Sequence, residues 1–192
     1  MKSKDLLEEI TASTLTSIEL VKKKLVYLNK EQLSWRPNDI SWSIEEVIAH
    51  LNEYAKFYHT AFNEKIDKTK FRTPVEEFIS SPLGRSAWKS MKLGNANNVK
   101  RKFKAMRSYN PQLDPSLIKE NGIEIIQNEL TELLSIIEKA ETVSLRRVKI
   151  PISISKIIRL RLGDALMFVV YHNERHFQQI SNLLANKNFP KK

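Results

Sequence analysis

An all-α four-helix bundle is the fold class that the sequence predicts, on three observations. Four long segments repeat apolar residues at spacings of three and four, the period of a helix that buries one face. No segment convincingly shows the strict alternation of a half-buried strand. Glycine is scarce, with four in 192 residues; the chain has neither a glycine-rich phosphate loop nor a Gly-x-Ser-x-Gly elbow, which argues against nucleotide-cradling folds and the usual serine hydrolases. Four apolar stripes that must each find a partner pack most simply as an antiparallel bundle.

The first helix is expected over Lys4 to Leu28, with Leu7, Ile10, Thr14, Ile18, Val21, Leu25 and Leu28 on its stripe. The second opens at WSIEEV, where Ser43 caps, Glu46 closes a capping box and Trp42 staples onto Val47. Its stripe is Val47, Leu51, Tyr54, Tyr58 and Ala61. Before the third, Asp114 is expected to cap and Pro115 to take the first turn; Ile123, Ile126, Leu130, Leu133, Ile137 and Ala140 follow. The fourth is expected from about Ser155 to Leu184, with Ile158, Leu162, Ala165, Val169, His172, His176, Ile180 and Leu183 on one face. Residues 67 to 113 form a long basic crossover between helices two and three, partly helical near Val99 to Met106.

Length favours one domain over residues 1 to 192, and the composition, 41% hydrophobic and 28% charged, is that of a globular protein. The absence of cysteine excludes disulfides, thiolate metal sites and a cysteine nucleophile, so any thiol chemistry needs a thiol carried by the substrate. Acidic residues stand in MKSKDLLEEI where a signal peptide needs an apolar run, and ALMFVVYHN is far short of the roughly 20 apolar residues of a membrane span. The expected location is the cytoplasm, with no membrane partner.

The net charge of +10 is concentrated. Arg85, Lys89, Lys92, Lys100, Arg101, Lys102, Lys104 and Arg107 follow one another without an acid, and a second acid-free basic stretch runs from Arg146 to Arg161. Such stretches attract nucleic acid, acidic membranes or small polyanions, or are simply solvated faces.

Four histidines occur. His172 and His176 differ by about 40° around a helix, and both lie on the apolar stripe. His50 lies toward one edge of the apolar face of helix two, whereas His59 is about 180° from it and is expected to face solvent. Three inward imidazoles from two helices suit a divalent metal with positions left open for water or substrate; the competing reading is hydrogen-bonded core residues. HNERH is not the zincin motif, because Glu174 turns away from the histidine face. Arg175 reads as a structural ion pair or a partner for a substrate carboxylate. Gln179 reads as an orienter of a ligand histidine or a boundary residue, and Tyr54 and Tyr58 as core or catalytic hydroxyls. Trp35 and Trp42 read as structural.

The segments LSWRPNDISWSIEEVIAHLNEY and LRLGDALMFVVYHNERHFQQISNLL together resemble the DinB/YfiT-like superfamily. Trp35, Pro37, Trp42, Ser43, His50, His172, Arg175, His176 and Gln179 carry the resemblance. It implies a four-helix bundle, commonly a homodimer, in which His50, His172 and His176 bind a divalent ion such as nickel or zinc. Relatives include metal-dependent transferases and isomerases that use low-molecular-weight thiols, and others assigned only as metal-dependent hydrolases. The basic crossover has no counterpart in the family pattern.

The expected function is therefore a metal-dependent S-transferase acting with an anionic low-molecular-weight thiol, or a hydrolase activating water. The alternative is a non-catalytic metal-binding or nucleic-acid-binding stress protein using residues 85 to 107; nucleic acid is the less expected partner, because aromatics are sparse among these bases.

Overall fold

The computed structural model describes residues 1–94 and 104–191. The chain is mostly helical. Four long helices, α1 (Ser3–Lys23), α3 (Ile44–Asp67), α5 (Gly122–Ala140) and α6 (Leu162–Leu184), are joined by the short α2 (Lys30–Ser34) and α4 (Pro82–Met91) and by a hairpin of β1 (Lys149–Ile152) and β2 (Ser155–Arg161). α3 packs on α5 and α6, and α1 also packs on α5 and α6.

Each stripe is buried as its periodicity requires. One core gathers Leu6 and Ile10 of α1, Tyr58 and Phe62 of α3, Leu133 and Ile137 of α5 and Leu162 to Tyr171 of α6. A second gathers Ile18 and Val21, Ile44 to Leu51, Ile126 and Leu130, and Phe177 to Leu183. Burying a side chain such as Phe62 completely stabilises the fold by roughly 1.5–3 kcal/mol. On α6, His172 and His176 lie in sequence between the residues of the two cores, and on α3 His50 falls within the second, between Ile48 and Leu51.

Several boundaries differ from the sequence reading. α1 ends at Lys23, and Leu25 is reached through a 3-10 turn. Asp114 caps only a 3-10 turn, Pro115–Leu117, and α5 begins at Gly122. Among the described residues of the connection between α3 and α5, an α-helix lies at Pro82–Met91, capped by Ser81 with Pro82 in its first turn. Lys104 to Met106 are not helical, and the rest of the expected Val99–Met106 helix lies outside the described residues. The largest correction concerns the fourth helix, which starts at Leu162 because residues 155–161 are a strand. Ile150 and Leu160 face each other across this antiparallel pair and are buried in the first core. β-branched isoleucines suit that pleated, half-buried surface better than a helix.

Candidate metal centre

The start of α3 is fixed by Glu46. Its carboxylate accepts from the Ser43 backbone at 2.7 Å and from Arg36 Nε at 2.8 Å and Nη2 at 2.6 Å, while Ser43 Oγ accepts from the Glu46 N–H. This capping box, closed by a bidentate arginine, ties the Trp35–Pro37 turn to the helix and sets Trp42 beside it. His50, 3% exposed, follows one turn on; its ring lies 5.0 Å from that of Trp42. Arg36 was not singled out in the sequence, because its partner is ten residues away.

α6 supplies the other two rings. Its first turn is anchored by Asp164, which accepts from the Ser81 backbone and hydroxyl, each at 3.0 Å. His172, 5% exposed, stacks between Tyr54 at 4.4 Å and Phe168 at 6.1 Å. His176 is half-buried and stacks on Trp42 at 6.2 Å. The three ring centroids are 4.6 to 5.1 Å apart, and one nitrogen from each ring lies within 4.8 Å of the others.

Hydrogen bonding decides which nitrogens face inward. His50 Nδ1 lies 2.6 Å from the Tyr109 carbonyl. A carbonyl only accepts, so Nδ1 carries the proton and Nε2 keeps its lone pair. His176 Nδ1 likewise donates to Gln179 Oε1 at 3.1 Å, leaving its Nε2 as the acceptor. His50 Nε2 and His172 Nε2 are 3.2 Å apart. Burial holds all three imidazoles in the neutral, ligating form: His50 is pushed down to about 4, and His172 and His176 fall well below the ordinary histidine value, with their mutual repulsion and Arg175 adding to burial. Neutral imidazoles with outward N–H groups fixed by oxygen acceptors are the donor set that a borderline divalent ion takes. The residues present therefore fit the group.

A sequence profile described as the DinB superfamily matches residues 16–180, a span that contains all three histidines. The chain belongs to the DinB superfamily. No curated protein and no solved structure is significantly similar to it.

The remaining residues singled out from the DinB resemblance or from the helix faces divide clearly. Tyr54 packs its ring on His172, His50 at 4.8 Å and Tyr109 at 4.5 Å; burial raises its hydroxyl above the ordinary tyrosine value, so it stays protonated. Gln179 touches His176. Arg175 is half-buried, close enough for its charge to act on His172 and His176. Glu174 is raised by burial, and the charges that act on it are those of Lys92 and Glu9. His59 corrects the expectation of a solvent-facing ring. It is 6% exposed, with Nδ1 2.6 Å from Glu129 on α5, because α5 covers the side of α3 opposite to α6. Tyr109 has no side-chain signal for this role: it acts through its backbone carbonyl, which every residue type possesses. Arg101 and Lys102 lie outside the described residues.

Proposed function

We propose that this DinB protein is a metal-dependent enzyme in which His50, His172 and His176 hold a divalent ion, nickel or zinc, for chemistry on a low-molecular-weight thiol or on water. The observation that carries the reading is the convergence of the three nitrogens, with His50 and His176 each holding an outward N–H on an oxygen acceptor. When bound, such an ion supplies Lewis acidity, lowering the pKa of a thiol or water to near neutrality.

The protein's own residues do the rest. Tyr109 and Gln179 fix the tautomers of His50 and His176. Tyr54, Phe168 and Trp42 surround the rings with apolar surface, which strengthens local electrostatics by excluding water. Tyr54, protonated, offers a hydrogen-bond donor to a bound substrate. The Arg175 charge acts on His172 and His176, and a positive field at the centre favours an anionic thiol over a neutral ester.

The four long helices are proposed to form the four-helix bundle of the family, with residues 67–113 inside a long crossover. The two cores support this, since α3 and α5 contribute their first turns to one core and their last turns to the other. Helices that run the same way need a connection that returns along their length. The homodimer that the resemblance implies belongs to the same proposal and is read by light scattering.

The decisive test is metal content by elemental mass spectrometry on untagged protein loaded with nickel or zinc. Near-stoichiometric metal in the wild type, lost in His50→Ala, His172→Ala and His176→Ala and kept in His59→Ala, is the expected result. A thiol-acceptor screen and an ester screen on the loaded protein then separate transferase from hydrolase. Wild-type protein that takes up neither metal overturns the reading.

A further inference from the structure

The β1–β2 hairpin carries a second feature unrelated to the histidines. From Thr142 to Gly163 the sequence contains no acid, while Arg146, Arg147, Lys149, Lys156, Arg159 and Arg161 are basic. Three isoleucines of this same stretch are exposed: Ile154 by 62%, Ile157 by 89% and Ile158 by 40%. Ile154 sits in the turn between the strands, Arg159 pairs with Pro151 next to buried Leu160 and so lies on the opposite face, and Ile157 lies in the stretch between Ser155 and Arg159 where the register shifts. Arg146, Lys149 and Arg159 are exposed, whereas Arg147 lies over the Phe71 ring and Arg161 donates to the Ile79 carbonyl.

Exposed aliphatic side chains clustered at the end of a cationic element need an account, since scattered single apolar residues are normal on a surface but clusters mark contacts. Three occupants are conceivable, and the chemistry selects among them. A second copy of the hairpin would bring two acid-free cationic surfaces together, which charge repulsion opposes. Nucleic acid would find cations but no aromatic ring for base stacking, since residues 142–162 contain none. An anionic bilayer satisfies both halves: lipid headgroups meet the cations, and the aliphatic tip enters the boundary between headgroups and acyl chains.

We propose that the β1–β2 hairpin is a peripheral docking surface for anionic lipid bilayers, with Ile154 and Ile157 entering the interface and Arg146, Lys149 and Arg159 engaging the headgroups. This departs from the expectation of no membrane partner, and it concerns contact with a bilayer surface, not a span. Among the described residues no helix is long and apolar enough to cross a membrane. The inference stands apart from the metal centre, and the failure of either leaves the other untouched.

The test is co-sedimentation of the full chain with vesicles of phosphatidylcholine alone and of phosphatidylcholine mixed with phosphatidylglycerol. Wild-type protein is expected to pellet with the mixed vesicles only. Lys149→Glu with Arg159→Glu, and separately Ile154→Ser with Ile157→Ser, are each expected to weaken partitioning by at least about tenfold. Both pairs are exposed and their melting temperatures should match the wild type. Arg85→Glu with Lys89→Glu on α4, exposed and of equal charge change, should alter partitioning far less. Equal losses in the α4 and hairpin charge variants would reduce the effect to net charge and overturn the proposal. It is equally overturned by no binding to the mixed vesicles, whether the hairpin then proves to bind duplex oligonucleotides or a second copy of the chain.

Discussion

His50 and His172 hold their Nε2 atoms 3.2 Å apart although 122 positions separate them in sequence. With Nδ1 of His50 committed to the Tyr109 carbonyl, its Nε2 presents a lone pair to its neighbour. Two neutral imidazoles in this arrangement are compatible only if His172 donates a proton or a cation lies among the rings. A bound ion should accordingly stabilise the folded state alone. Nickel or zinc at about a hundredfold excess over its dissociation constant is expected to raise wild-type stability by about 2.7 kcal/mol. Thermal melts with and without each metal check this, and an equal rise in His172→Ala would locate the binding elsewhere.

Gln179 offers a more discriminating probe, because it touches the candidate centre only through His176. Its Oε1 accepts from His176 Nδ1, so Gln179→Ala should weaken metal binding roughly 10- to 100-fold, the usual cost of losing such an orienting partner. Gln179→Glu retains an acceptor and should retain most of the affinity. Competition against a metallochromic chelator measures both. Identical affinity in wild type and Gln179→Ala would make Gln179 a bystander on the surface of α6.

Much of this centre was legible before any coordinates. Polar rings four residues apart on an apolar stripe stand out, and the Ser43–Glu46 capping box announces the helix that carries His50. The misreadings have physical causes. Ile150 to Ile158 offers helical and strand spacings alike, and only the non-local pairing of Ile150 with Leu160 decides between them. His59 was assigned to solvent on the assumption that α3 buries one face, whereas α5 and α6 both pack on it. The Tyr109 carbonyl has no side-chain signature at all. Arg36 and Glu46 pair across a turn whose geometry periodicity does not encode.

Buried neutral histidines give the metal-free protein a defined acid sensitivity. The folded value of His50 is lowered from 6.5 to about 4, so between those limits the unfolded chain binds a proton that the folded chain refuses. Stability from this group is therefore complete above about pH 6.5 and is lost as pH falls toward 4. At 1.36 kcal/mol per unit, the loss amounts to roughly 3 kcal/mol; His172 and His176 shift in the same direction and add to it. Denaturant midpoints of the metal-free protein should fall from neutral pH to about pH 5, more gently in His50→Phe. A wild-type midpoint that stays constant across that range would contradict the burial of these rings.

Gly84 and Asp164 make the last prediction, which concerns the joint between α4 and α6. A Cβ at Gly84 would stand 2.0 Å from Asp164 Oδ2 and 2.1 Å from its Cγ. That same oxygen accepts from the Ser81 backbone and hydroxyl, so the carboxylate cannot retreat without releasing the N-terminus of α4. Gly84→Ala, ordinarily stabilising within a helix, should here destabilise by about 1–3 kcal/mol through overpacking. Asp164→Ala alone should also destabilise, by leaving the half-buried Ser81 N–H and hydroxyl without their acceptor. The double variant decides the matter: Asp164→Ala removes the two nearest atoms but keeps the Asp164 Cβ, 2.6 Å from the added methyl, so Gly84→Ala should cost less in that background without becoming free. Denaturant melts of the four proteins complete the cycle. Strictly additive losses would mean that the α4–α6 joint yields at the backbone, and that the close approach of Gly84 to Asp164 does not constrain it.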